Sequence, residues 1–117
     1  MSSFGSASQS LGVVLVTAGS EAEAERLARH LVESRLAACV SLFPVRSLYR
    51  WQGEVQSEAE WQLIIKTDLS QFEVLTQAIA QHHSYEVPEI IALPIVAGLP
   101  DYLTWLQAQV QEPPALA

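Results

Sequence analysis

Residues 63–73 read LIIKTDLSQFE (Leu63-Ile64-Ile65-Lys66-Thr67-Asp68-Leu69-Ser70-Gln71-Phe72-Glu73), an apolar run that breaks into a polar turn. The run reads as a strand. Ser70 followed three residues later by Glu73 has the spacing of a capping box, in which serine and glutamate satisfy the free donors at the start of a helix. Phe72, Leu75, Ile79 and Ala80 then recur at helical spacing. The same plan occurs fifty residues earlier, with the near-continuous apolar run LGVVLVT at 11–17, the box Ser20 and Glu23, and the stripe Leu27, Ala28, Leu31 and Val32. Both copies share the spelling T-x-x-S-x-x-E. The chain therefore reads as two βαβ halves, with helices near 20–34 and 70–82.

Residues 39 to 50 and the run ending at Thr67 form a hairpin. Phe43, Val45, Tyr49, Val55, Ala59, Trp61, Leu63 and Ile65 are odd-numbered; Arg46, Arg50, Glu54, Glu58 and Glu60 are even. If each set occupies one face of the hairpin, odd residues pair with odd ones. That parity calls for a three-residue loop, Trp51-Gln52-Gly53, and rules out a two-residue turn. It sets Arg50 opposite Glu54, Arg46 opposite Glu58 and Tyr49 beside Val55. Proline lacks a ladder donor and belongs on outer strands. Pro44 and Pro94 thus mark the second strand and the fourth (residues 89–96) as edges, with Pro88 starting the fourth, where its missing donor costs little. With right-handed crossovers the order is 4-1-3-2, both helices on one face. This is an α+β, ferredoxin-like split βαβ sheet with a long hairpin and an extra amphipathic segment near 101–109.

The chain is one domain, residues 11–111, between tails at 1–10 and 112–117 that read as frayed. Half of its 117 residues are hydrophobic, ample for a core. A net charge of −7 works against nucleic acid and anionic membranes. The single cysteine, Cys39, excludes an internal disulfide and suits a reducing compartment, so a cytoplasmic location is expected. No apolar run reaches membrane-spanning length. Each hairpin arm spans roughly 36 Å at ~3.3 Å per residue, while a helix of its neighbourhood covers only ~24 Å. The tip, with Tyr49, Trp51 and Val55, therefore asks for another subunit to cover it.

The segments LVESRLAACVSLFPVRSLYRWQGEV, LIIKT, YEVPEIIALPI and YLTWL together resemble the CutA family of divalent-cation-tolerance proteins, over about residues 13–106. The resemblance implies a small homotrimer similar in design to the PII signalling proteins, with a role in copper and divalent-cation tolerance and no established reaction. In relatives with a proposed copper site the ligands are a first-strand cysteine and two adjacent histidines before a tyrosine. The histidines match His82 and His83; the cysteine position holds Val16, and Ser84 stands where proline is common.

His82 and His83 are thus the metal candidates. Imidazole suits copper, zinc and nickel, but adjacent side chains diverge in regular structure, and histidine ending a helix also serves as a cap. Copper(II), if bound, is expected to be held weakly by imidazole and released below about pH 6. No obligate cofactor is expected. Cys39, Tyr85, Glu86 and Glu89 are candidates for a cleft that holds an effector, each with a packing or pairing alternative. Tyr49, Trp51, Trp61 and Trp105 are expected at the subunit interface. A PII-like regulator acting through an unidentified partner protein is the alternative function, and an enzyme using Glu86, His83 and Tyr85 is a third. No G-x-G-x-x-G, P-loop, G-x-S-x-G or C-x-x-C occurs.

Overall fold

The computed structural model describes residues 10–111; the two tails expected to fray lie almost wholly outside them. Strand β1 (Leu11–Ala18) leads into helix α1 (Glu21–Glu33), β2 (Cys39–Trp51) and β3 (Glu54–Asp68). A short 3-10 turn (Leu69–Gln71) precedes α2 (Phe72–His82), followed by β4 (Ile91–Pro94) and α3 (Pro100–Gln109). The four strands form one antiparallel sheet in the order β2-β3-β1-β4, the order anticipated from the prolines. Pro44 sits on the β2 edge and Pro94 ends the opposite edge strand.

The first capping box forms as read, the Glu23 N–H donating to Ser20 Oγ at 3.2 Å. The second does not. Asp68 Oδ1 accepts from the Ser70 N–H at 2.9 Å one turn earlier, and Gln71 precedes α2 without a side-chain cap. The aspartate ending β3 reaches the free donors first, so the chain enters α2 through a 3-10 turn. Helix α1 ends on Arg35, whose φ of 62° is left-handed, with the Leu36 N–H returning to Leu31 O at 2.9 Å.

The hairpin register differs by one residue from the parity argument. Trp51 pairs with Glu54, Arg50 with Val55 and Ser47 with Glu58. The connection is the two-residue turn Gln52-Gly53, with φ of 51° and 82°. Positive φ at both central residues is what a tight hairpin turn needs to match strand twist. Neither arginine meets its expected glutamate: Arg46 donates to Ser57 Oγ at 3.1 Å and Arg50 to Gly53 O at 3.3 Å. Parity fixes the register only where both strands keep their apolar residues on one face. In fact Val40 and Leu42 of β2 share the helix-facing side with Leu63 and Ile65, while Phe43 and Val45 lie on the opposite, open side. Strand β4 is also shorter than 89–96, and Pro88 lies three residues before it. Only the stretch facing residues 12–15 of β1 finds ladder partners.

The core lies between sheet and helices. Val14, Val16, Leu63 and Ile65 meet Leu27 and Leu31 of α1 and Leu75 and Ile79 of α2, all buried. A second cluster joins Leu106 and Val110 to Leu11, so α3 covers one end of the open side. Arg35 fastens that helix. Its guanidinium donates to Ala108 O at 2.7 Å and Gln109 O at 3.1 Å, and its carbonyl accepts from the Gln111 N–H at 2.9 Å. Among the described residues no helix covers the rest of the open side, which includes Val13, Leu15, Phe43, Ile64, Ile91 and Leu93.

Candidate functional site

The polar corner lies where β1 ends, α1 begins and α2 stops. Each of those elements has a backbone terminus there with unused donors or acceptors, and a few side chains satisfy them. His83 follows the last residue of α2 in extended conformation, which turns its ring inward. Its side chain is fully buried. Nε2 lies 2.7 Å from Thr17 O, and a carbonyl accepts, so Nε2 carries the proton. Nδ1 accepts from the Tyr85 N–H at 3.0 Å. Both ring nitrogens are therefore committed to backbone.

Glu23 sits beside it. One carboxylate oxygen accepts from the Ser84 N–H at 2.7 Å and lies 3.6 Å from His83 Nδ1. The other accepts from Ser84 Oγ at 3.0 Å and from the Gly19 N–H at 3.3 Å. Burial pushes this carboxyl up, but the bonds from Ser84 and Gly19, with His83 nearby, outweigh burial and hold it below the usual carboxylate range. Proline at position 84 would offer neither the N–H nor the hydroxyl. Tyr85 extends the network. Its hydroxyl donates to Glu60 Oε2 at 2.8 Å, and its ring lies 4.8 Å from the His83 ring. Burial, then the bond to Glu60, pushes the Tyr85 phenol far above its ordinary value.

His83 and Tyr85 thus come together, whereas His82 turns away. His82 is exposed, its Nδ1 bonded to Ala78 O at 2.9 Å, and its ring lies against that of His30. Glu86 and Glu89 are exposed, and Cys39 is half-buried on the open side opposite Lys66. Trp51 is exposed at the hairpin turn, Trp105 stacks near Tyr102, and the Tyr49 hydroxyl donates to Glu58. Trp61 is half-buried and packs on the helix-side core. Among the described residues no group of three or more His, Cys, Asp or Glu side chains gathers as a metal set, and no helix is long and apolar enough to cross a membrane.

Sequence reasoning missed two members, Glu23 and Glu60. Glu23 was accounted for by its capping box, and Glu60 by its even-numbered polar company. The available signal for Glu23 was its place at the end of the polar segment TAGSEAE, which the fold brings against the other polar segment, HHSYE.

Such an architecture defines a class: ferredoxin-like α+β chains with a long protruding hairpin and a buried carboxylate–imidazole–phenol corner. A family model described as CutA1 divalent ion tolerance protein matches residues 12–109. The chain belongs to that family. It is 47% identical over 100 residues to a divalent-cation tolerance protein CutA of Pectobacterium atrosepticum, covering 85% of this chain and 91% of the relative. The crystal structure of CutA1 from Oryza sativa superposes with a TM-score of 0.88 at 42% identity, covering 92% of this chain and all of that one. A structure named periplasmic divalent cation tolerance protein CutA, from Archaeoglobus fulgidus, matches with a TM-score of 0.84 at 38% identity, over 86% of this chain and 99% of that one.

Proposed function

We propose that the protein is a non-enzymatic homotrimer that acts in divalent-cation tolerance, copper included, and holds a cation or small effector at clefts between its subunits. The observation that carries this reading is the open side of the sheet. Phe43, Ile91 and Leu93 are 39%, 50% and 47% exposed there, beside half-buried Val13, Leu15 and Ile64. A contiguous apolar patch of this kind marks an interface, and closed symmetry covers every copy while hiding sheet edges. Tyr49, Trp51 and Trp105 are aromatic groups available to that interface. Cys39, Tyr85, Glu86 and Glu89 border the sheet or the polar corner and are the cleft candidates.

For the cation, His82 is the accessible imidazole. His83 reaches an ion only by giving up its bonds to Thr17 and Tyr85, so binding through it is weak and a chelator strips the metal without unfolding the chain. Unpaired Cys39 fits a reducing compartment, and we place the protein in the cytoplasm.

Sedimentation velocity at micromolar concentration tests the assembly, with a species of three 12.8 kDa chains expected; a monomer sinks the inter-subunit cleft. A thermal-shift screen of divalent metals, nucleotides and metabolites tests the ligand, since binding raises apparent stability as RT ln(1 + [L]/Kd). No shift with any divalent cation sinks the metal role. Turnover of a substrate that disappears in Glu86→Gln would make the protein an enzyme.

A further inference from the structure

The chain has three histidines. One, His83, is buried with both nitrogens engaged. The other two meet on the helical side of the molecule, far apart in sequence. His30 lies in the last turn of α1 and His82 in the last turn of α2, and their ring centres are 4.4 Å apart with the planes inclined by 37°. We propose that His30 and His82 form a two-imidazole site for a divalent transition-metal ion of the copper(II) or nickel(II) type. This inference rests on the cation reading above and replaces His83 by His30 as the partner of His82.

Three observations carry it. First, His82 has its donor and acceptor sorted. Nδ1 donates to Ala78 O at 2.9 Å, which leaves the Nε2 lone pair outward on an exposed side chain. Backbone bonding of one nitrogen is how metal-ligating histidines fix the tautomer of the other. Second, the spacing suits one ion. A metal about 2.0–2.1 Å from an imidazole nitrogen sits about 3.2 Å from that ring's centre. Ring centres 4.4 Å apart then subtend roughly 90° at a shared ion once the His30 ring turns a nitrogen towards it, with His82 held by Ala78. A right angle between nitrogens is the cis angle of square-planar coordination, favoured by copper(II) and nickel(II). Third, the electrostatics favour a cation. His82 lies in the last turn of α2, whose C-terminus carries a partial negative charge, in a chain of net charge −7. Water completes the coordination, which makes the site exchangeable and not structural.

Calorimetric titration of copper(II) and nickel(II) chloride into the wild type, His30→Gln, His82→Gln and the double variant tests the pairing. Each single variant should weaken copper(II) binding at least about tenfold, the loss expected when one arm of a chelate is removed, and the double variant, which keeps neither imidazole, should bind more weakly than either. Circular dichroism melting confirms that the variants fold. Electron paramagnetic resonance of the copper(II)-loaded wild type supplies a reading independent of substitution: nitrogen couplings from two imidazoles are expected, and coupling from one overturns the pair. Unchanged affinity in His30→Gln also overturns it while leaving the cation reading intact. No binding of either ion by the wild type overturns the pair, and a thermal shift with another divalent cation then keeps the broader reading alive.

Discussion

Glu23 serves two helices with one carboxylate, accepting from the Gly19 N–H ahead of α1 and receiving the chain that leaves α2 through Ser84. Because its folded pKa lies below the ordinary 4.5, it stabilises the fold above that pH and the contribution is lost as pH falls through the folded value. Glu23→Gln should cost about 1–3 kcal/mol at neutral pH, the range for a buried charge-assisted bond. It should also flatten the acid limb of a stability curve measured by urea unfolding between about pH 3 and 6. Tyr85 has the opposite sign. Its phenol is raised above 10.0, so its contribution is complete below that pH and fades as pH climbs beyond it. Tyr85→Phe should cost about 1–2 kcal/mol at pH 7, because Glu60 keeps its burial and loses its donor. Urea titrations carried above about pH 10 should show the steeper alkaline decline only in the wild type. At this scale the sequence exposed half of the corner. HHSYE advertises its imidazoles and phenol in one line, but the burial of Glu23 and Glu60 is created by residues more than twenty positions away, and no local pattern encodes it.

The elements were legible where a single residue type carries a single constraint. Pro44 and Pro94 placed the edges because a missing donor has no remedy in a central strand, and the Ser20 box located α1. The β2–β3 register was not legible. Parity of the apolar residues settles register only if one face is buried, and β2 carries apolar side chains on both. The turn itself holds the better signal, Gln52-Gly53, since glycine takes φ of 82° without strain. Gln52, at φ 51°, is the less suited partner. Gln52→Asn should therefore stabilise the hairpin by about 0.5 kcal/mol, because asparagine tolerates the left-handed region better; a rise in the denaturation midpoint checks it. Arg35 offers a second element-level test. Arg35→Ala removes both donors that hold the end of α3. Amides of residues 103–110 should then exchange about tenfold faster, equivalent to roughly 1.4 kcal/mol of local opening, while those of β1 and β3 stay protected.

For the molecule as a whole, the proposed trimer makes the open side of the sheet a face used for assembly and not for folding. Leu93 is 47% exposed and lies off the helix-side core. Leu93→Glu should leave the chain folded by circular dichroism yet shift sedimentation towards the monomer; an unchanged mass would remove this face from the interface. Trp51→Ala should lower the melting temperature of the assembly for the same reason. The position of β1 has one more consequence. It is made before the other three strands of the sheet and stands second from an edge, with β3 and β4 on its flanks. Leu15 waits for Ile64 and then for Ile91. At about 5–20 residues per second of translation, the second partner leaves the ribosome about 4–15 s after the first strand. The β2–β3 hairpin needs no such wait, since its arms are neighbours in the nascent chain. Through those seconds an eight-residue apolar ribbon emerges without its mates, and that is the interval in which a chaperone, or a sister chain on the same message, meets it.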